Sequence, residues 1–200
     1  MARNVYRNIS RLINSVEIIS NDDWNEITKI RYVHDETNHT FLRVDTPINI
    51  KPLKIEDINF DYKMIVISDY NKGYLSEEAI EYICSNHNLV FLDTKKKLDK
   101  WALNAKFIKI NNYEYSRSEE YIKKELKDKL IHTSGSDGAY FKNKHFPVES
   151  KEIRDTSGAG DTFLSALAVE YLKTNNIENS IEFANKCASK VVMYRGVSVL

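Results

Sequence analysis

Residues Asp155 to Asp161 read Asp-Thr-Ser-Gly-Ala-Gly-Asp, and an apolar stripe of helical spacing (Phe163, Leu164, Leu167, Ala168, Tyr171, Leu172) follows at once. A Gly-Ala-Gly turn running into a helix N-terminus presents several unpaired backbone N–H groups to one point, and the helix dipole adds partial positive charge there. Such a place suits an anion. Gly158 and Gly160 lack a Cβ, so the backbone can approach a phosphate closely. Asp161 stands on the lip of that cradle, where its carboxylate can take a proton from an alcohol. A free aspartate, with a pKa of about 3.9, is a weak base. In a loose, metaphosphate-like transition state the attacking alcohol becomes acidic late, so a weak base in the right place suffices. An anion cradle of Gly158, Ala159 and Gly160 beside Asp161 therefore implies phosphoryl transfer to a hydroxyl.

Two other nucleotide motifs are excluded. A dinucleotide fingerprint needs its third glycine at position 163, where Phe163 stands, and no Gly-x4-Gly-Lys-Ser/Thr loop occurs.

The elements that must position these groups are legible as periodicity. Val5, Ile9, Leu12 and Ile13 form a short helical stripe. Ile27 to Val33 and Thr40 to Asp45 read as two strands joined by Asp35-Glu36-Thr37-Asn38. Met64 to Ser68, Leu89 to Leu92, Phe107 to Ile110 and Leu130 to Thr133 are short apolar runs of the buried, parallel kind. Ser76 caps a helix with Ala79, Ile80, Ile83 and Cys84 on its buried stripe, and a polar helix is expected from about Ser118. Ala139 to Lys142 and His145 to Val148 are two further short strands. Ile181, Ala184, Ala188, Val191 and Val192 make a last helix, expected to close at Gly196. Strands alternating with helices imply an α/β fold with a mostly parallel sheet covered on both faces. Ligands gather at the carboxyl ends of such strands, where Asp69, Asp93, Asn111 and Thr133 fall.

Asp155-Thr156-Ser157-Gly158-Ala159-Gly160-Asp161-Thr162-Phe163 resembles the C-terminal signature of the ribokinase/PfkB family of carbohydrate kinases. Further pieces match in order. Asn111-Asn112-Tyr113-Glu114 is similar to the family's Asn-x-x-Glu, which implies a place for Mg2+ and its waters near the phosphates. Thr133-Ser134-Gly135-Ser136-Asp137-Gly138 is similar to the Thr-x-Gly-x-x-Gly nucleotide loop, and Asn185 to an asparagine bordering the adenine pocket. Ser68-Asp69-Tyr70-Asn71-Lys72-Gly73 and Asp93-Thr94-Lys95 resemble segments of heptose 7-phosphate kinases, with threonine where those have proline. Thr28 to Arg31 and Leu42 to Asp45 resemble the strands of their β lid. The resemblance implies a ribokinase-like three-layer αβα domain over residues 1–200 with a small β lid at 27–45. It implies ATP as phosphoryl donor and a sugar or sugar phosphate, heptose 7-phosphate-like, as acceptor, with Asp69, Lys72, Arg43 and Asp45 on the acceptor. It also implies a monovalent cation such as K+ near Asp155, and a homodimer through the lid. Ala2-Arg3-Asn4-Val5 resembles only the tail of the family's early glycine-rich turn, so the first strands of the family fold are expected to be missing.

Alternatives stand beside several of these readings. Gly135 to Gly138 reads equally as a phosphate loop or a hairpin turn. Asn111 and Glu114 could belong to a solvated loop, and Lys95, Lys96 and Lys97 to a solvated charge run. Arg43 and Asp45 could pair with lid neighbours, and Asp155 could simply tie two loops. For the whole chain the alternative is a shortened relative that binds nucleotide, or pairs with another subunit, without turning over sugar.

Bulk properties narrow the partners. Lysine plus arginine (29) balance aspartate plus glutamate (29), so no global field draws nucleic acid or anionic lipid. The tyrosines are scattered and suggest no stacking platform, and the histidines lack metal-ligand spacing. Cys84 and Cys187, far apart, suit a reduced compartment. No apolar run reaches the length of a membrane span and the N-terminus lacks a signal-peptide core, so the expected location is cytoplasmic.

Overall fold

The computed structural model describes residues 2–21, 28–34, 36–37, 39–46, 50–149 and 153–200. Ile27, Asp35 and Asn38, placed above in the lid and its connection, lie outside the described residues. Strands β1 (Lys29–Val33) and β2 (Thr40–Asp45) pair antiparallel as a separate two-stranded sheet. The main sheet holds β3 (Ile65–Asp69), β4 (Val90–Thr94), β5 (Phe107–Asn111), β6 (Leu130–Thr133), β7 (Ala139–Phe141) and β8 (Lys144–Phe146), side by side in that order. The first four run parallel and the last two antiparallel.

Alternation along the strands divides the core in two. Phe91, Phe107 and Ile131 face one layer, formed by α1 (Ala2–Leu12), α4 (Ala159–Thr174) and α5 (Ile177–Val191). Val90, Leu92, Ile108 and Ile110 face the other, formed by α2 (Glu77–Asn86), the connection after β4 (Leu98, Trp101, Ala102) and the later part of the segment after β5 (Ile122, Leu126). The expected three-layer α/β arrangement with a small separate β sheet is therefore present. Ser76 caps α2 as expected, its hydroxyl accepting from the Ala79 amide at 3.1 Å. Helix α4 is buried without a break from Asp161 to Val169, which locks its first turn to the sheet beneath.

Two boundaries differ from expectation. Helix α3 (Asn112–Tyr121) begins six residues before Ser118. Its start is set by a capping box: Asn111 Oδ1 accepts from the amides of Tyr113 and Glu114, and Glu114 returns a carboxylate oxygen to the Asn111 amide. Only Glu114 and Ser118 of α3 are buried, so the helix has no apolar stripe to betray it. Helix α5 ends at Val191, five residues before Gly196, whose amide instead donates to Asp155 Oδ2 at 3.0 Å. The aromatic rings are also less scattered than the sequence suggests. Register places His132 opposite Tyr140 and Tyr140 opposite His145. Tyr115 stacks on His132 at 4.4 Å and Tyr140 on His145 at 4.5 Å. Cross-strand ring pairs such as Tyr140 with His145 stabilise the antiparallel half of the sheet.

Candidate active site

The carboxyl ends of β3 to β5 and the N-terminus of α4 meet at one place. Helix α4 enters through Gly158, whose φ of +87° lies in the left-handed region and which provides no side-chain cap. A helix N-cap is ordinarily Ser, Thr, Asp or Asn, whose side chain occupies the first free amides. Here that service is absent. A Cβ at Gly158 would stand 2.9 Å from Asn4 Nδ2 and 3.1 Å from Val197 Cγ1, so glycine is demanded by space as well as by dihedral. The Ala159 amide turns back to the Thr156 carbonyl at 3.2 Å, which removes it from the expected cradle. The first ladder bond runs from the Thr162 amide to the Gly158 carbonyl, which leaves the amides of Gly160 and Asp161 ahead of the helical ladder.

Asp161 is not on a lip. It is 1% exposed, with Oδ2 accepting from Asn4 Nδ2 at 3.0 Å and Oδ1 from the Tyr70 hydroxyl at 2.8 Å. Burial pushes its carboxyl above the ordinary range, against the two hydrogen bonds, and the Asp93 charge adds to the rise. Beneath the turn lies Lys109, 4% exposed, whose ammonium donates to Asp93 Oδ2 at 2.8 Å. It sits 3.1 Å from where a Cβ on Gly160 would be. Burial opposes the Lys109 charge, but Asp93, with Glu114 and Asp161, together more than offset it, so the ammonium is held charged. An uncapped helix start over a buried ammonium brings two sources of positive potential together.

At the start of α3, Glu114 is 2% exposed, one oxygen on the Asn111 amide at 2.7 Å and the other on Lys95 Nζ at 2.5 Å. Neither it nor Asn111 presents an open oxygen, so this pair as arranged does not fit a resident Mg2+. Asp155 accepts from the amides of Ser157 and Gly196, at 2.8 and 3.0 Å, and so ties two loops rather than offering a cation site. Burial works against its charge, yet the hydrogen bonds keep its carboxyl below the usual value. Among the described residues no three His, Cys, Asp or Glu converge on a metal position. Thr133 to Gly138 forms the turn between β6 and β7, closed by the Ser134 amide on the Gly138 carbonyl at 2.8 Å. Gly135 is exposed at its tip, and the Thr133 hydroxyl donates to the Ile110 carbonyl at 3.1 Å. Asn185 is buried and donates to the Phe146 carbonyl at 2.8 Å, so it fastens α5 to β8. Lys95 and Lys96 are no solvated run. Lys96 is 8% exposed, donates to Asn71 Oδ1 at 2.7 Å and lies 3.5 Å from Asp69.

A cavity of about 1160 Å³ runs along β3. Much of it is apolar; its polar lining includes Ser68, Tyr70, Lys72, Lys29 and Asp45. Asp69 is 5% exposed and its oxygens accept from the Thr94 hydroxyl at 2.7 Å and the Asn71 amide at 2.9 Å, so it shapes the loop after β3. Arg43 and Asp45 form a bidentate pair at 2.7 and 2.8 Å, as lid neighbours. Arg31 stands directly across the hairpin from Arg43 and reaches the Ser157 hydroxyl, linking the lid to the phosphate turn. Lys29 is lowered by burial first, then by Arg43, with Lys72 and Arg31 adding to the effect, so these cations share one neighbourhood. Like charges facing each other across a hairpin are unfavourable, unless an anion comes between them.

Asn4, Tyr70 and Lys109 complete the site without having been expected there. Lys109 has a signal in hindsight, a charge in the buried run Phe-Ile-Lys-Ile. Asn4 has none, because 157 residues separate it from Asp161. Among the described residues no helix is long and apolar enough to cross a membrane.

Known proteins share this architecture. The chain is 32% identical over 151 residues to the bifunctional protein HldE of Nitratiruptor sp., an alignment covering 66% of this chain and 32% of that protein. The chain thus spans about a third of that relative's length. The ribokinase of Thermotoga maritima superposes with a TM-score of 0.69 at 20% identity, covering 98% of this chain and 80% of the other. The Arabidopsis thaliana ribokinase complexed with ribose and ATP superposes with a TM-score of 0.56 at 19% identity, covering 67% and 51%. Residues 18–199 match the model for pfkB family carbohydrate kinases, and the chain belongs to that family.

Proposed function

We propose that this chain transfers the γ-phosphoryl group of ATP to a hydroxyl of a sugar phosphate of the heptose 7-phosphate class, with Asp161 as the base. The observation that carries the reading is the uncapped start of α4, where free first-turn amides, the Lys109 ammonium and the Asp161 carboxylate lie within one turn of each other. In this reading the amides of Gly160 and Asp161 and the Lys109 charge stabilise the transferring phosphoryl group. Asp161 takes the acceptor's proton as the oxygen–phosphorus bond forms and ADP leaves. The Thr133–Gly138 turn and Lys95 lie toward the nucleotide, whose magnesium arrives as part of the substrate. Lys29 and Lys72, which line the cavity, with Arg31 and Arg43 near Lys29, favour an acceptor that itself carries a phosphate. The resemblance of Ser68 to Gly73 to heptose 7-phosphate kinases supports the same class.

The lid supports a partner as well. Ile30, Tyr32, Leu42 and Val44 lie on the hairpin face opposite Lys29, Arg31, Arg43 and Asp45, and all four are exposed. An isolated two-stranded sheet is marginal in water, so pairing with the lid of a second copy is the arrangement this face favours.

An ADP-release assay over sugars and sugar phosphates, with and without potassium, tests the function. Sugar-phosphate-dependent turnover is expected, and Asp161→Asn should lower it by about 10²–10⁴. Unchanged turnover in that variant removes Asp161 as base. A binding-only role has one observation in its favour: both Asp161 oxygens are already held by protein donors. Thermal stabilisation by ATP without ADP release across the panel would establish it.

A further inference from the structure

Resting on the kinase reading, we infer that Tyr70 is a specificity-determining residue that keeps water off the base. Its hydroxyl holds the Asp161 Oδ1 position until the acceptor's hydroxyl replaces it.

The two donors to Asp161 are not equivalent. Asn4 is 8% exposed on α1, and α1 is pinned to α4 by the Ser165 hydroxyl on the Val5 carbonyl at 3.2 Å and by Asn8, which is fully buried. Withdrawing Asn4 means separating two packed helices. Tyr70 is half-buried in the loop between β3 and α2, and it lines the cavity that Asp161 itself does not reach. Tyr70 therefore stands between the acceptor cavity and the base.

The chemistry of the contact matches that position. A phenol and a sugar hydroxyl are both O–H donors, and each makes a short bond to a carboxylate. Tyr70 thus occupies Oδ1 in the manner an acceptor must. It cannot substitute for the base, because burial and then the Asp161 and Asp93 carboxylates push its own ionisation far above the ordinary phenol range. It stays protonated and donates only. Water in the same place would lose a proton to Asp161 and form the bond to phosphorus, releasing ADP and free phosphate. With the phenol there, that reaction has no nucleophile.

The ring is also held from both sides of the site. Lys29 of the lid lies 5.4 Å from its centroid, and Lys95, the partner of Glu114, lies 5.6 Å away. An anionic acceptor entering the cavity pairs with the Lys29 ammonium and weakens one of these two attachments. Arrival of the correct substrate and release of the tyrosine are thereby linked.

The test compares ADP release by wild type and Tyr70→Phe, with and without the best acceptor from the panel. Phenylalanine keeps the ring between the two ammonium groups and removes only the hydroxyl. Acceptor-independent ADP release should rise about tenfold and the acceptor KM fall about three- to tenfold, the worth of one competing hydrogen bond. Tyr70→Leu, which also removes the ring, should raise the background further. Background at the wild-type level in both variants, with kcat lowered and KM unmoved, shows that Tyr70 merely holds Asp161 and overturns the inference. Wild type alone provides a check independent of variant folding: its background should lie about a hundredfold or more below acceptor-driven turnover. A background within about tenfold of acceptor-driven turnover, with the acceptor still phosphorylated, overturns the gate while leaving the kinase reading intact. Absence of any acceptor-dependent release, with ATP still bound, ends the kinase reading and the gate together.

Discussion

Lys109→Met probes the buried charge pair beneath the phosphate turn. In the structure Asp93 Oδ2 receives the Lys109 ammonium at 2.8 Å, Asp93 Oδ1 has no partner, and both residues are 4% exposed. The variant leaves a buried carboxylate without any side-chain donor. Methionine fills much of the space of the lysine stem, so the cavity contribution is small. What remains is the cost of an uncompensated charge, about 3–5 kcal/mol when one member of a buried pair is removed. That is a large share of the roughly 5–15 kcal/mol that holds a typical domain together. Urea unfolding followed by circular dichroism at neutral pH should show the loss directly. Asp93→Leu combined with Lys109→Met removes both charges, and such exchanges are often neutral or stabilising, so most of the loss should return. Activity should not return with it, since no ammonium then lies under Gly160; kcat should stay down by about 10²-fold or more. A single variant within about 1 kcal/mol of wild type, or a double variant as unstable as the single, refutes the buried-charge argument. A double variant with wild-type kcat refutes the phosphoryl role of Lys109.

Gly158→Ala forces a Cβ onto a residue at φ +87° and against Asn4 and Val197, so thermal unfolding should report a loss of about 2 kcal/mol or more; a loss below about 0.5 kcal/mol would contradict the close approach. Burial raises the Asp161 carboxyl, so its contribution to the fold is full below the unfolded value of about 3.9 and is lost as pH rises through the higher folded one. Asp161→Asn should therefore melt above wild type at neutral pH, with the gap closing toward pH 4, and a wild type that melts higher at neutral pH would speak against the buried-charge account. Leu42→Glu places a charge on the apolar lid face, and light scattering should find the wild type dimeric and the variant monomeric; equal masses rule the face out as the interface.

The strands and most helices are legible because each announces itself locally. Val90 to Leu92 is a continuous apolar run, and Phe107 to Ile110 is one interrupted by Lys109 alone, as strands buried on both faces tend to be. Helix α3 escapes that rule, because a helix held by a capping box needs no apolar stripe. The same two residues explain why the expected magnesium place is not open. Asn111 and Glu114 have the types and spacing of a metal-organising pair, and also of a helix cap. Spacing cannot separate the two, because both need a carboxylate three residues after an amide side chain. Only the third partner, Lys95 on Glu114, settles how that carboxylate is used in the fold.

The charge arrangement of the site is illegible for a different reason. Ser68, Asp93 and Lys109 stand in register across β3, β4 and β5, in three segments whose order and alignment no local pattern specifies. Sliding β5 by one residue would turn Lys109 to the opposite face and put Ile108 or Ile110 under Gly160. The motif at Asp155 to Asp161 would read the same, yet its turn would sit on hydrocarbon and its base would face no ammonium. The glycine turn supplies geometry from sequence alone, whereas the field that makes it suited to a transferring phosphoryl group comes from strand register. That division locates the decisive measurement at Lys109, in the sheet, as much as at Asp161, in the motif.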